Sequence, residues 1–297
     1  MNHIKEILIV GGTHGNELSG VTYVKNHLID DQQALATEQA YPLLNLHWHL
    51  ANQPAIDART RYCEEDLNRQ FTPEKLQQIN ATSAEHAIAL ALNRQFGPKG
   101  NSKIDLVIDI HNTTSNMGPT LIVLESDEFH RQLASYVTAN MPEAVILVED
   151  EKPFLAHKYL CTLGKRGVMI EVGPQPQGVL RGQAYLETKQ MCEAILSFCE
   201  MYNQHGFNDS RVEVDAFRLL EEISFPRSQT GEISAMIHPE LQDKDFETLE
   251  KGMPMFLRFD GVTVNYQEEA VIYPHFIGEA AYYHLGIAMA SATKFKF

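Results

Sequence analysis

Ile7-Leu8-Ile9-Val10 is an unbroken apolar run that gives way to Gly11-Gly12-Thr13-His14-Gly15-Asn16-Glu17 and then to a helical pattern. A strand with no polar face is buried on both sides, inside a sheet covered by helices. Gly11, Gly12 and Gly15 suit a turn that needs positive φ or close backbone approach. The theme recurs twice. Residues 104–110 read as a central strand ending at His111. Val168-Met169-Ile170-Glu171-Val172 reads as another, ending in Gly173-Pro174.

Helical patterns separate the strands. Leu18, Val21, Val24 and Leu28 recur at helical spacing and predict a helix over 16–29. A strand is expected over 43–50, then an aperiodic polar loop over 59–69, then a helix over 83–96 with Ser83 as its cap and Gly97-Pro98 as its stop. Strands at 120–124 and 144–148 flank a helix at 128–139, and a long helix is expected over 181–202. This order predicts an α/β fold, a mixed and largely parallel sheet flanked by helices. From Gly206 the helical periodicity fades. Short β-rich segments follow at 211–219, 231–237, 254–259 and 271–277. The expected division is a catalytic α/β domain over 1–205 and a smaller β-rich capping domain over 206–297, within reach of a 297-residue chain.

The formal net charge of −15 argues against nucleic-acid partners and anionic membrane surfaces. It also repels anionic substrates at long range, so a carboxylate ligand would have to be held by arginines inside a pocket. No run of 18 apolar residues is present, and no membrane span is expected. Met1 to Glu6 leads straight into a strand with no secretory pattern. The four cysteines form no C-x-x-C. Cys192 and Cys199 share one helix face, beyond disulfide reach, and a reducing cytoplasm is the expected compartment.

His14 and Glu17 stand on one tight turn at a strand end. An imidazole and a carboxylate are donors that suit Zn²⁺, and His111 is the candidate third ligand. Three protein ligands and an open position make a catalytic rather than a structural zinc site. The turn could instead cradle a phosphate, but it lacks G-x-G-x-x-G and Gly-Lys-Ser/Thr. Alone, His111 would read as a strand-end histidine bonded to Asp109 or to backbone. Asp109 or Asn112 could instead orient an imidazole ligand. Glu171 interrupts an apolar strand. It is the candidate base for a metal-activated water, or else a carboxylate facing solvent beside Gly173. Within the 59–69 loop, Arg61 can polarise a carbonyl, and Asn68-Arg69 offers a fork of donors for a carboxylate; alternatively, these arginines are solvated loop charges. Tyr282 and Tyr283 follow a strand. They read as core or interface residues, or one phenol reaches a substrate carboxylate.

Long stretches of the chain resemble the aspartoacylase/succinylglutamate desuccinylase family of the zinc carboxypeptidase-like superfamily. They are Gly11 to Leu18, Asp66-Leu67-Asn68-Arg69, Asp109 to Gly118, Glu171 to Arg181, His238 to Asp243, and Glu279-Ala280-Ala281-Tyr282-Tyr283. The resemblance implies one zinc per subunit on His14, Glu17 and His111, and Glu171 as general acid/base. It implies Arg61 at the scissile carbonyl, and Asn68, Arg69 and Tyr282 at the substrate carboxylate. The implied reaction hydrolyses a small N-acyl-L-amino acid, N-acetyl-L-aspartate first, to a carboxylate and a free amino acid. Another N-acyl amino acid, an aromatic one above all, is the rival substrate, and a metal-dependent carboxypeptidase is a more distant alternative of a different class. A homodimer is the implied assembly. In aspartoacylase proper, Tyr-x-x-x-Arg precedes the glutamate strand. Here Tyr159 is followed at that spacing by Leu163, and the lysine expected after Tyr283 is missing. Lys158, Lys165 and Arg166 are the candidates to replace the lost charge. Relatives without that arginine favour N-acylated aromatic amino acids.

Overall fold

The computed structural model describes residues 3–206 and 213–297. Its strands are β1 (Glu6–Gly11), β2 (Asn45–Leu50), β3 (Leu106–Asn112), β4 (Gly118–Val123), β5 (Val145–Val148), β6 (Arg166–Gly173), β7 (Asp215–Ser224), β8 (Ala235–Ile237), β9 (Pro254–Arg258), β10 (Thr263–Asn265), β11 (Tyr273–His275) and β12 (Ile287–Lys296). A nine-stranded sheet runs β11-β12-β7-β5-β4-β6-β3-β1-β2, and a three-stranded sheet runs β10-β9-β8. In the large sheet, β2, β1, β3 and β6 are parallel neighbours, and β4 is antiparallel to β6. The fold is the expected mixed α/β sheet with helices on both faces.

Each face of the sheet has its own core. Ile7, Ile9, Ile108, Ile110, Ile170 and Val172 pack with Tyr23, Phe129, Leu133, Ile195 and Phe198 from the helices Leu18–Ile29, Glu128–Asn140 and Gly182–His205. The alternate residues Leu8, Val10, Val107 and Met169 face the other way, onto Ala89 and Leu92 of the helix Ala84–Gln95 and onto Leu67, Phe71 and Leu160. Full burial of such a side chain stabilises by about 1.5–3 kcal/mol. Ser83 caps that helix as expected, accepting from the His86 amide at 3.1 Å.

The segments beyond 213 do two different things. β8, β9 and β10 make the small sheet, with Phe225, Ile237, Leu249 and Phe256 in its core. β7 pairs in parallel with β5, and β12 pairs with β7, so this part of the chain also extends the large sheet. The expected 211–219 strand begins at Asp215; its first two positions lie outside the described residues. β12 and the helix Asp31–Ala40 have no counterpart among the elements expected from the sequence. The first half of β12, Ile-Ala-Met-Ala-Ser-Ala, lacks the β-branched and aromatic run that marks a strand. Among the described residues, no helix is long and apolar enough to cross a membrane.

Candidate active site

Backbone proximity shapes the turn after β1. Gly12 sits at φ +70°. A Cβ on Gly15 would lie 2.1 Å from the Ala55 backbone, so only glycine lets the turn press against the helix Gln53–Ala58. The helix that follows starts at Leu18, with Glu17 at its N-cap position. The Glu17 side chain makes no capping bond there and turns instead toward His14 and His111.

His111 is the penultimate residue of β3, beside β1 in the sheet, and this adjacency brings the three residues together. His14 Nδ1 lies 2.7 Å from Glu17 Oε1, His111 Nδ1 lies 2.9 Å from Glu17 Oε2, and the two Nδ1 atoms are 3.2 Å apart. All three side chains are buried, and one donor atom from each lies within 4.8 Å of the others. The outward nitrogens meet carboxylates. His14 Nε2 is 2.9 Å from Asp66 Oδ1, and His111 Nε2 makes an ion-pair contact of 3.0 Å with Asp109 Oδ2. Thr13 donates to the other Asp109 oxygen at 2.7 Å.

This geometry tests the fit to a metal. With the Nε2 atoms protonated toward their carboxylates, both Nδ1 lone pairs and the Glu17 carboxylate point at one spot. Two imidazole nitrogens and a carboxylate converging on one spot suit a cation, and carboxylate-backed imidazoles are the usual support of a zinc ligand set. In the protein alone a proton answers the same need. Burial pushes the His111 pKa down, but Asp109 and Glu17 raise it well above the ordinary histidine value. Burial likewise pushes Glu17 up, and His14 and His111 outweigh it, holding that carboxyl far below its usual range.

Glu171 on β6 stands opposite His111 in the parallel β3–β6 register, so the two side chains leave the same face of the sheet. Burial raises its pKa well above the usual carboxylate value, with His111 pulling down and Glu17 pushing up. The 59–69 loop closes the other side. Arg61 donates to Glu17 at 2.8 Å and to Asp66 at 3.3 Å, and Asp66 also accepts from the Asn68 amide at 2.8 Å. Asn68 accepts from the Leu160 amide at 2.7 Å. The Arg69 guanidinium lies over the Tyr159 ring, 5.5 Å from its centre. Tyr282, on the helix Ala280–Tyr283, reaches the same cavity from beyond β11.

His14, Glu17, Arg61, Asn68, Arg69, His111, Tyr159, Glu171 and Tyr282 thus line one pocket. Lys158, Lys165 and Arg166 do not line it. Lys165 pairs with Asp105 at the opposite ends of the strands, and Arg166 stacks on Phe129. Leu163 is fully buried in the core beneath the pocket.

Three acids of the site have no individual role in the sequence reading. Asp66 backs both His14 and Arg61. Glu279 accepts from the Thr114 amide at 2.7 Å and from the Thr113 hydroxyl, tying the β3 exit to the Tyr282 helix. Glu149 lines the pocket just past β5 and accepts from the Tyr159 hydroxyl at 3.1 Å; burial pushes its carboxyl up to about 7. Glu149 follows Val145–Val148 directly, an acid closing an apolar strand where Glu171 interrupts one.

Comparison with known proteins agrees with this architecture. Residues 3–199 match the succinylglutamate desuccinylase/aspartoacylase catalytic domain, and residues 212–294 match the AstE/AspA barrel-sandwich hybrid domain. The chain is 41% identical to an aspartoacylase of Danio rerio over 288 residues, 95% of this chain and 90% of that one. It is 36% identical to a human N-acyl-aromatic-L-amino acid amidohydrolase (carboxylate-forming) over 301 residues, 99% and 92% of the two chains. The crystal structure of murine aminoacylase 3 superposes with a TM-score of 0.91 at 33% identity, covering 100% of this chain and 97% of that one. The chain belongs to the succinylglutamate desuccinylase/aspartoacylase family.

Proposed function

We propose that this protein is a zinc-dependent amidohydrolase that splits a small N-acyl-L-amino acid into a carboxylate and the free amino acid. The observation that carries this reading is the meeting of three inward-facing acceptors from His14, Glu17 and His111 with Glu171 across the β3–β6 register. Zinc held by those three residues would supply a Lewis acid and lower the pKa of water. Glu171 takes the proton of the attacking water and returns it to the leaving nitrogen. Arg61 balances the charge that develops on the carbonyl oxygen. Asn68, Arg69 and Tyr282 hold the substrate carboxylate, and Tyr159 braces Arg69 from beneath its guanidinium plane.

N-acetyl-L-aspartate is the first substrate to try. N-acyl aromatic amino acids are the second, and a specific feature favours them. The arginines lining the pocket are Arg61 and Arg69. Arg61 is engaged by Glu17 and Asp66, which leaves Arg69 for one carboxylate. A second substrate carboxylate would meet Glu149, and an aromatic ring would meet Ile122, Met169 and Phe276. Against a peptidase, Phe276, Glu279 and Tyr282 also line the cavity, and side chains from this part of the chain would narrow it for a polypeptide. The reading includes a catalytic unit over 1–205 capped by 206–297, a cytoplasmic site in keeping with the free thiols Cys161, Cys192 and Cys199, and a homodimer.

The test is a substrate panel on zinc-loaded protein, with release of free amino acid as the readout. Hydrolysis of N-acetyl-L-aspartate or N-acetyl-L-tyrosine, lost with a chelator and restored by zinc, is expected. Failure on every N-acyl amino acid overturns the reading.

A further inference from the structure

One buried carboxylate near the pocket has no part in the chemistry above. Glu85, in the first turn of the helix Ala84–Gln95, is 0% exposed. It faces backbone. Its Oε1 accepts from the Cys63 amide at 2.6 Å and from Asn52 Nδ2 at 3.3 Å, and its Oε2 accepts from the amides of Glu64 and Glu65, both at 3.1 Å. These three consecutive amides lie between Arg61 and Asp66. Burial raises the Glu85 pKa, and the Cys63 and Glu65 amides, with Asn52 and Glu64, outweigh it and hold the carboxyl below its ordinary value. Charge-assisted bonds of this kind are roughly twice as strong as neutral ones.

The loop has a second anchor on the ligand turn. The Gly15 amide donates to the Arg61 carbonyl at 3.2 Å. Asn52 links the two anchors, because its side chain also accepts from the Ala55 amide at 3.3 Å and so caps the helix against which Gly15 packs. Further ties, from Ser83 Oγ to Glu65 and from the Ala84 amide to Glu64, are exposed to solvent.

We propose that Glu85 is a positioning residue: by pinning three successive amides it fixes the loop that presents Arg61 to the substrate carbonyl and Asp66 to the ligand His14. The catalytic half of this inference rests on the function proposed above. The half that runs through Asp66 and His14 concerns metal retention and stands apart from any reaction.

Glu85→Gln keeps the volume but replaces one acceptor with an NH2 group that faces amide donors. Faster hydrogen exchange at residues 63–65 is expected, with exchange in β3 and β6 unchanged. Zinc should pass to a chelator about ten-fold faster. The kcat/KM should fall about 100-fold, mainly in kcat, because Arg61 acts on charge that develops during the reaction. Glu85→Asp, which keeps the charge at shorter reach, should recover part of each loss. Where Glu85→Gln does not fold, Glu85→Asp decides by the same three readouts. Faster exchange with zinc release and kcat/KM both unchanged overturns the proposal, since Glu85 would then hold the loop without serving the site. A wild-type protein inactive on every N-acyl amino acid defeats the proposed function instead, and zinc release still decides the role of Glu85.

Discussion

His111 and Glu171 are paired residues in the β3–β6 ladder, separated by 60 positions in the chain and aligned by strand register alone. Register sets their common face, because a one-residue slip would send every side chain of the slipped strand to the opposite side of the sheet. The relationship separates two functions. His111 belongs to the donor cluster, whereas Glu171 stands beside it without joining it. Glu171→Gln should therefore keep its zinc and lose kcat/KM by about 10²–10⁴-fold. Metal analysis alongside steady-state kinetics checks both halves, and loss of zinc in the variant would contradict the assignment.

Asp66 should matter to the metal although it is no ligand. It stands 2.9 Å from His14 Nε2 and accepts from Arg61 at 3.3 Å. Removing it frees the imidazole to rotate and leaves Arg61 with Glu17 alone. Asp66→Ala should weaken zinc binding about 10–100-fold, measurable by competition with a fluorescent chelator. Affinity equal to wild type would show that backbone alone orients His14.

Glu149 should give the fold a pH-dependent weakness. Its folded pKa of about 7 lies above the ordinary 4.5, so between these values the folded state binds more protons than the unfolded state. Stability from this group is then full at pH 4 and is lost as pH rises toward 7, with the whole penalty present above. At 1.36 kcal/mol per pKa unit the difference amounts to about 3 kcal/mol at most. Glu149→Gln, which can still accept from Tyr159, should gain stability over wild type as pH rises from 5 to 8. Denaturant titrations at a series of pH values test this, and a constant difference would refute it.

The sequence made local features legible and concealed relations across the sheet. The β1 turn could be read because strand, glycines, His14 and Glu17 are contiguous. Apolar runs marked β3 and β6 because inner strands have no polar face. The pairing of His111 with Glu171 could not be read, since register is decided by packing across the sheet. In the sequence Glu85 is an acid in the first turn of a helix, a position that favours acids for electrostatic reasons alone. Its three backbone partners lie in a loop whose path the sequence does not specify. β12 carries no strand signal in the sequence for a compositional reason. Its alanines and serine are small because they lie beneath other layers, and Ala288, Ala290, Ser291 and Ala292 are all buried.

The place of β12 in the large sheet bears on how the enzyme comes into being. Among the described residues it is the last strand in chain order, yet it lies between β7 and β11, not at an edge. Tyr282 is carried on the short connection between β11 and β12. On the proposed reading, a molecule whose β12 has not yet docked could already bring His14, Glu17 and His111 together while Tyr282 is out of place, so metal capture would precede the ability to choose what is cleaved.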